Sequence, residues 1–180
     1  MNYYIADLHL GHTNVIRMDN RPFESIEEMD RQLIDNWNSR VKKKDTVYIL
    51  GDFSMKGPKA VVEYLKQLNG NKVLIKGNHD RINTEAKNLF LEITPYKELH
   101  DGNSKVILCH YPITFYNRQH AYSIMLYGHV HNTAESKLLN ELKLTIREQG
   151  IPVRMFNTGC MMPWMDYFPR TLAEILEANK

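Results

Sequence analysis

The protein is a chain of 180 residues, 43% of them hydrophobic and 24% charged, which is the balance of an ordinary soluble globular protein. Its formal net charge of +2 is too small to indicate nucleic-acid or membrane binding by itself. Its two cysteines, Cys109 and Cys160, lie far apart and provide neither a disulfide framework nor a zinc knuckle. Since no apolar run approaches membrane-spanning length and the N-terminus does not resemble a signal peptide, we expect one domain over residues 1–180, in the cytoplasm.

In the first half of the chain, the predicted elements alternate between strands and helices. The segments NYYIA, TVYIL and KVLIK, which begin at Asn2, Thr46 and Lys72, are short, apolar and rich in β-branched or aromatic residues, as is typical of strands buried on both faces. A helix is predicted after Ser25, where SIEE has the pattern of a capping box, and another from Pro58 towards Leu68. This alternation indicates an α/β architecture with parallel pairing among the three strands.

The second half of the chain shows fewer helical patterns. We expect a short helix from Thr84 to about Leu91 and a last one over TLAEILEANK, which begins at Thr171. Between them the strands KVILC and SIMLY, beginning at Lys105 and Ser123, predominate. The sequence therefore favours a second sheet, or a layered sandwich with helices outside, over a pure doubly wound sheet.

Polar side chains follow all five predicted strands at the point where each strand ends. In α/β sheets, ligands bind beyond the carboxyl ends of the strands, so loops at that edge can converge although they are far apart in sequence. The converging set consists of two aspartates, one asparagine and four histidines: Asp7, His9, Asp52, Asn78, His110, His129 and His131. A lone histidine after a strand is usually a packing or surface residue, but five such endings are hard to assign to chance.

These residue types point to metal binding. Nitrogen and oxygen donors without a thiolate suit Mn, Fe, Zn or Ni rather than a structural zinc site. The set exceeds the needs of one tetrahedral ion and fits two ions that share a ligand, for which Asp52 is the natural bridge because a carboxylate has two oxygens. On extended backbone His129 and His131 would point in opposite directions, so they serve both ions only if the chain bends or if one nitrogen is a main-chain contact.

The order and spacing of these motifs resemble the calcineurin-like metallophosphoesterases. The matching residues are Asp7-x-His9, Gly51-Asp52, Gly77-Asn78-His79-Asp80, His110 and Gly128-His129-x-His131. The segments HTN at His12 and RPF at Arg21, together with the C-terminal NTGC…FPRTLAEIL, further resemble compact bacterial and phage-type members.

The resemblance implies a fold and a division of the ligands. The expected fold is an α/β two-sheet β-sandwich flanked by helices, with a dinuclear metal site at one edge. By analogy, the first ion would be held by Asp7, His9, Asp52 and His131, and the second by Asp52, Asn78, His110 and His129. Two divalent ions, with manganese as the first candidate, would bind a phosphate ester and lower the pKa of a water for attack at phosphorus.

The residues beside the ligands have candidate roles in catalysis. His79 can act as general acid towards the leaving group, and Asp80 would keep it protonated if the chain turns so that the two side chains meet. Arg81 either contacts substrate phosphate or bonds a loop carbonyl. His12 is either a substrate contact or a partner that orients a ligand. Arg21 either binds phosphate or anchors its loop.

The sequence does not define the role of two further features. The role of Arg17 is undefined. The stretch PITFYNRQHAYS, beginning at Pro112, mixes aromatic and basic residues, and either forms one wall of the cleft or packs into the core.

We therefore expect a metal-dependent phosphoric ester hydrolase, with phosphodiesters ahead of monoesters and a nucleotide among the candidate substrates. A nuclease is the weaker alternative because the chain has no basic stripe with interleaved aromatic residues. A non-catalytic binding scaffold of the same fold is disfavoured, since the chain retains every ligand and His79. The physiological ester, the native metal and the oligomeric state do not follow from the sequence.

Overall fold

The first half of the chain forms a parallel sheet in the computed structural model, which describes residues 1–180. Its strands are β1 (Asn2–Ile5), β2 (Thr46–Ile49), β3 (Asn71–Ile75) and β4 (Glu92–Thr94). They lie in chain order, and each is parallel to its neighbour. The predicted parallel pairing of the first three strands is confirmed, and β4 is an addition that the sequence did not indicate.

Helices α1 (Thr13–Met18), α2 (Ile26–Arg40), α3 (Pro58–Gln67) and α4 (Thr84–Lys87) lie between these strands. The cap predicted for α2 is present, because Ser25 Oγ accepts a hydrogen bond from the Glu28 N–H at 3.1 Å. The Glu28 carboxylate accepts from the N–H of Glu24 rather than of Ser25, so the box closes one residue earlier than predicted. Helix α1 was not predicted.

The second sheet contains β5 (Tyr96–Asp101), β6 (Ser104–Cys109), β7 (Ile124–Tyr127) and β8 (Met155–Asn157), in that order. Strands β5 and β6 are antiparallel, whereas the other two pairs are parallel. The predicted strands at KVILC and SIMLY are confirmed, as is the two-sheet arrangement flanked by helices.

The expectation that strands predominate over helices between Leu91 and the last helix is wrong, because the 15-residue helix α5 (Ala134–Glu148) follows β7. Leu139 and Ile146 of α5 pack with Ile107 and Met125 on the outer face of the second sheet. Helix α6 (Leu172–Ala178) ends the chain behind a capping box at Thr171. None of the helices has the length and apolar character needed to cross a membrane.

The end of β1 joins the two sheets. The Ala6 N–H donates to the Thr158 carbonyl at 2.8 Å, and the Cys160 N–H donates to the Ala6 carbonyl at 2.9 Å. The segment after β8 therefore runs beside the end of β1. As a result, strand ends from both sheets come together at one edge of the sandwich.

Candidate metal centre

The seven predicted ligands come together at this edge, and they differ in how deeply they lie. Asp7, His9, Asp52 and His110 are buried, with at most 4% of their surface exposed. His129 and His131 are half-buried, and Asn78 is exposed. The predicted set thus combines buried carboxylates and imidazoles with more exposed residues beside them.

Within this set, two groups of side chains have the spacing of a metal site. One group is Asp7, His9 and His131, the other is Asp7, Asp52 and His110, and the ligand atoms of each group lie within 4.8 Å of one another. The two groups share Asp7, and Asp52 Oδ2 of the second group lies 3.6 Å from His9 Nε2 and 3.6 Å from His110 Nε2. One carboxylate oxygen therefore stands between histidines of the two groups.

The backbone is left-handed at five of the seven predicted ligands, namely Asp7 (φ 54°), His9 (φ 53°), Asp52 (φ 51°), His129 (φ 70°) and His131 (φ 44°). A non-glycine residue in this region costs about 1–3 kcal/mol, and such positions concentrate at functional sites. The bends at His129 and His131 also remove the strand alternation that would have pointed the two imidazoles apart.

Glycine is required where the backbone passes close to these side chains. A Cβ on Gly77 would lie 2.4 Å from Asp52 Oδ1, and a Cβ on Gly51 would lie 2.2 Å from His110 Nδ1. Gly51 also has a φ of +84°, which side chains rarely adopt. The two glycines therefore make room for Asp52 and His110 at the centre of the site.

Partners behind the site fix the orientation of two imidazoles. His131 Nδ1 lies 2.7 Å from Asp19 Oδ1, and His110 Nδ1 lies 2.8 Å from the Leu50 carbonyl. In each case Nε2 is left to face the carboxylates, which is the arrangement of metal-binding histidines. Sequence reasoning missed Asp19, because a single aspartate in a connecting segment carries no motif.

Burial and neighbouring charge set the pKa values in the site. Burial raises the pKa of Asp7 to about 6. Burial, with the charge of the nearby His131, lowers the pKa of His9 to about 2, so His9 is the neutral imidazole that a cation needs. For His131, burial lowers the pKa, but the hydrogen bond to Asp19 and the charges of Asp7 and Asp19 outweigh it and leave the pKa raised.

Arg21 is not placed to bind substrate, which corrects one of the expected contacts. It is 4% exposed, and its guanidinium donates to the carbonyls of Asp7 at 2.9 Å and Leu8 at 3.0 Å and to the Asp19 carboxylate at 2.8 Å. These hydrogen bonds all point into the protein because the loop after β1 folds over the Arg21 side chain. Arg21 therefore anchors that loop and holds Asp19 in place behind His131.

Asp80 does not pair with His79, so the contact expected between these two side chains is wrong. Its carboxylate is buried and accepts hydrogen bonds from the N–H groups of Gly77 at 2.8 Å, Phe53 at 2.9 Å and Asp52 at 3.1 Å. The turn after β3 directs Asp80 back into the protein while His79 stays exposed. Asp80 thus ties the turn after β3 to the turn after β2.

The remaining predicted residues lie around the rim. His79 is exposed, and its main-chain N–H donates to Asp52 Oδ1 at 3.0 Å. Asn78 Oδ1 lies 3.0 Å from His110 Nε2. His12 Nδ1 lies 3.4 Å from His9 Nδ1, which favours the alternative in which His12 orients a ligand. Arg81 is exposed at the surface.

Comparison with known proteins identifies the class of the protein. Residues 3–154 match the family model of the calcineurin-like phosphoesterases, and the chain belongs to that family. Members of this family are metal-dependent and act on phosphate esters. The structure of a protein of unknown function from Aquifex aeolicus superposes with a TM-score of 0.72 at 26% identity, over 99% of this chain and 98% of that chain.

Two relatives indicate the type of family member that the chain is similar to. An uncharacterized protein from Methanocaldococcus jannaschii is 44% identical over 97 residues, 53% of this chain and 54% of that protein, so the match spans about half of that relative. The gene 66 protein of Mycobacterium phage L5 is 29% identical over 161 residues, 72% of this chain and 77% of that protein. The expected likeness to compact bacterial and phage-type members is confirmed.

Proposed function

We propose that the protein is a phosphodiesterase that uses two divalent metal ions sharing Asp52. The observation that carries this proposal is the position of Asp52 Oδ2, 3.6 Å from both His9 Nε2 and His110 Nε2. Asp52 Oδ1 is occupied by the N–H of His79 at 3.0 Å. Asp52 would therefore offer Oδ2, the oxygen that faces both histidines, to the ions.

The chain's donors fit such a pair of ions. We assign Asp7, His9, Asp52 and His131 to the first ion and Asp52, Asn78, His110 and His129 to the second. Nitrogen and oxygen donors without a thiolate suit manganese, and also iron, zinc or nickel. When bound, such ions supply positive charge to the phosphate oxygens and lower the pKa of water towards neutrality.

His79 is the proposed general acid. In-line attack at phosphorus leaves negative charge on the departing oxygen, and a proton donated by an imidazole neutralises it. The His79 main chain is tied to Asp52, and its ring centroid lies 5.9 Å from that of His9, so the imidazole sits beside the ligands. Asp80 supports this placement from behind as a positioning residue, through the turn that it holds.

The open rim favours a diester over a monoester. Asn78, His79 and Arg81 are all exposed, so a phosphate substituted on two sides can approach. Arg81 is the proposed contact for a phosphate oxygen, because a guanidinium binds such oxygens in bidentate fashion. A non-catalytic scaffold on the same fold is disfavoured, since it would have no need for left-handed backbone at five ligand positions.

The test is parallel hydrolysis of bis-p-nitrophenyl phosphate and p-nitrophenyl phosphate by metal-stripped protein reconstituted with Mn²⁺. We expect cleavage of the diester, loss of that cleavage with chelator, and slower turnover of the monoester. A preference for the monoester would replace the proposal with a phosphatase. If neither substrate is cleaved although two ions are bound, the result would favour the non-catalytic scaffold.

A further inference from the structure

The connection between β6 and β7 carries more exposed aromatic surface than any packing role explains. We name residues Tyr111–Tyr122 the aromatic loop. Tyr111 is 45% exposed, Tyr122 is 64% exposed and Phe115 is 69% exposed. Monomeric proteins seldom leave large aromatic rings this open in one short segment, and such surface often marks a binding site.

The exposed rings are presented by a loop that is held in place. Tyr116 is buried, and its hydroxyl accepts from the Arg154 N–H at 2.9 Å. Gln119 is also buried, and the Ser123 hydroxyl closes the turn by donating to the Asn117 carbonyl at 2.6 Å. The loop therefore has buried anchors between its exposed rings, so the exposure is built into its conformation.

The aromatic loop begins at the metal centre. The Tyr111 ring packs against His129 with a centroid distance of 4.5 Å and against His110 with a centroid distance of 5.1 Å. Both histidines belong to the ligands assigned to the second ion. The 45% exposed Tyr111 therefore lies beside two residues assigned to the second ion.

The charge of the aromatic loop suits a polyanion. No aspartate or glutamate occurs in the loop, whereas Arg118 and His120 are exposed. Arg118 and Tyr122 both have left-handed backbone, with φ of 58° and 59°. Strain of this kind in non-glycine residues persists only where surrounding structure enforces it, and it concentrates at ligand clamps.

We propose that the aromatic loop binds the bases of a single-stranded oligonucleotide, with Tyr111 stacking on the base next to the phosphate at the metal centre. Aromatic rings beside cationic side chains are the general means of binding single strands, because every base offers a π face. Arg118 would contact a neighbouring phosphate. This inference rests on the proposed function and names its substrate class, and it favours the nuclease alternative that the sequence alone disfavours.

Binding is tested separately from catalysis, in the metal-loaded His79→Ala protein so that cleavage does not deplete the probe. Fluorescein-labelled oligothymidylate of twelve residues is titrated by anisotropy, with an abasic oligomer of equal length as control. We expect the thymidylate to bind more tightly than the abasic oligomer. Tyr111→Leu should weaken thymidylate binding about tenfold, the range expected for one stacked base, and Tyr111→Phe should retain it.

Equal affinity for the two oligomers, no binding, or equal loss in the Leu and Phe variants would overturn the aromatic loop as a base platform. Thermal unfolding of each variant checks that the exposed substitution leaves the fold intact. A dimer in solution that buries Tyr111 would also count against the proposal, because the exposed rings would then be an interface between copies.

Hydrolysis distinguishes this inference from the proposed function. The substrates are thymidine 5′-(p-nitrophenyl phosphate) and methyl p-nitrophenyl phosphate, which share a leaving group. We expect Tyr111→Leu to lower the ratio of their kcat/KM values about tenfold, and Tyr111→Phe to preserve that ratio. An equal fall for both substrates would make Tyr111 a support for His129 and would overturn the inference. If the wild type cleaves neither but base-dependent binding persists, the proposed function fails and the platform stands.

Discussion

The residues assigned to the first ion and those assigned to the second form two sides around Asp52, and the two sides are built differently. On the first side Asp7 and His9 are buried, and His131 is held by the Asp19 carboxylate, which Arg21 holds in turn. On the second side His110 is held by a neutral carbonyl, that of Leu50, and Asn78 is exposed.

This difference separates two tasks that a metal centre must perform. A buried, charge-supported cluster can hold a cation tightly, because its carboxylates are poorly solvated and gain most from neutralisation. In a more exposed cluster, where every ligand except Asp52 is neutral, less of the charge of a bound cation is cancelled. More of that positive charge is then left to attract an incoming phosphate. We therefore propose that the first side anchors the centre and that the second side, next to Tyr111, receives the substrate.

The largest effect is expected from Asp52→Asn, which would remove the feature that the two sides share. Asparagine has nearly the same shape but no charge, so neither ion keeps its bridging ligand. We expect loss of both ions by metal analysis and a fall in diester hydrolysis of more than about a hundredfold, the upper range for residues that merely support ligands. Asp35→Asn, on the exposed surface of α2, is the matched control. Retention of both ions would remove Asp52 from its bridging role.

His79→Ala should separate metal binding from turnover. Because His79 lies at the rim and not among the ligands, both ions should remain. We expect kcat to fall by about 10²–10⁴-fold, as for loss of a general acid. Metal analysis and steady-state kinetics on the same preparation measure the two effects, with the exposed His100→Ala as control. Loss of metal in the His79 variant would count against the role assigned to this residue.

Asp19→Asn should weaken the first side alone. The Asp19 carboxylate holds His131 Nδ1 and so leaves Nε2 to face the site, and outer partners of this kind are worth about 10–100-fold in metal affinity. We expect one of two Mn²⁺ binding steps, followed by calorimetry, to weaken by that factor while the other is unchanged. Uniform weakening of both steps would mean that the two sides are not independent.

Lowering the pH should weaken metal binding on the first side before it weakens binding on the second. Burial places the pKa of Asp7 at about 6, so below that pH a proton competes with the cation for its carboxylate, whereas above it the carboxylate is free. Mn²⁺ affinity should therefore be nearly constant in this respect above pH 7 and fall by about tenfold per pH unit below 6. Titrations at pH 7.5, 6.5 and 5.5 measure this slope. An affinity that stays unchanged down to pH 5.5 would contradict the raised pKa.

The convergence of the seven candidate ligands could be predicted because its signal is local. Each ligand follows an apolar strand directly, and the carboxyl ends of neighbouring strands must meet at one edge. The supporting residues could not be predicted in the same way. Arg21 and Asp80 carry charges that look suited to substrate or catalysis, and only the turns of the folded chain direct them to backbone groups.

Helix α5 was missed for a different reason. Its inner positions include the polar residues Ser136 and Lys143, while Leu138 and Leu144 are exposed. Leu139 and Ile146 nevertheless recur at helical spacing and are both buried, so the helical period is present in the sequence, but the exposed Leu138 and Leu144 make the stripe less distinct. By contrast, α2 buries Met29, Leu33 and Trp37 along one stripe, and the sequence predicts it correctly.

The shared use of Asp52 is tested most directly by a crystal structure of the protein grown with Mn²⁺, with anomalous difference maps at the manganese edge. We predict two peaks about 3.5–4 Å apart, one on each side of Asp52 Oδ2, with His9 and His131 at one and His110 and His129 at the other. A single peak, or two peaks that do not share the Asp52 carboxylate, would contradict the two-ion assignment.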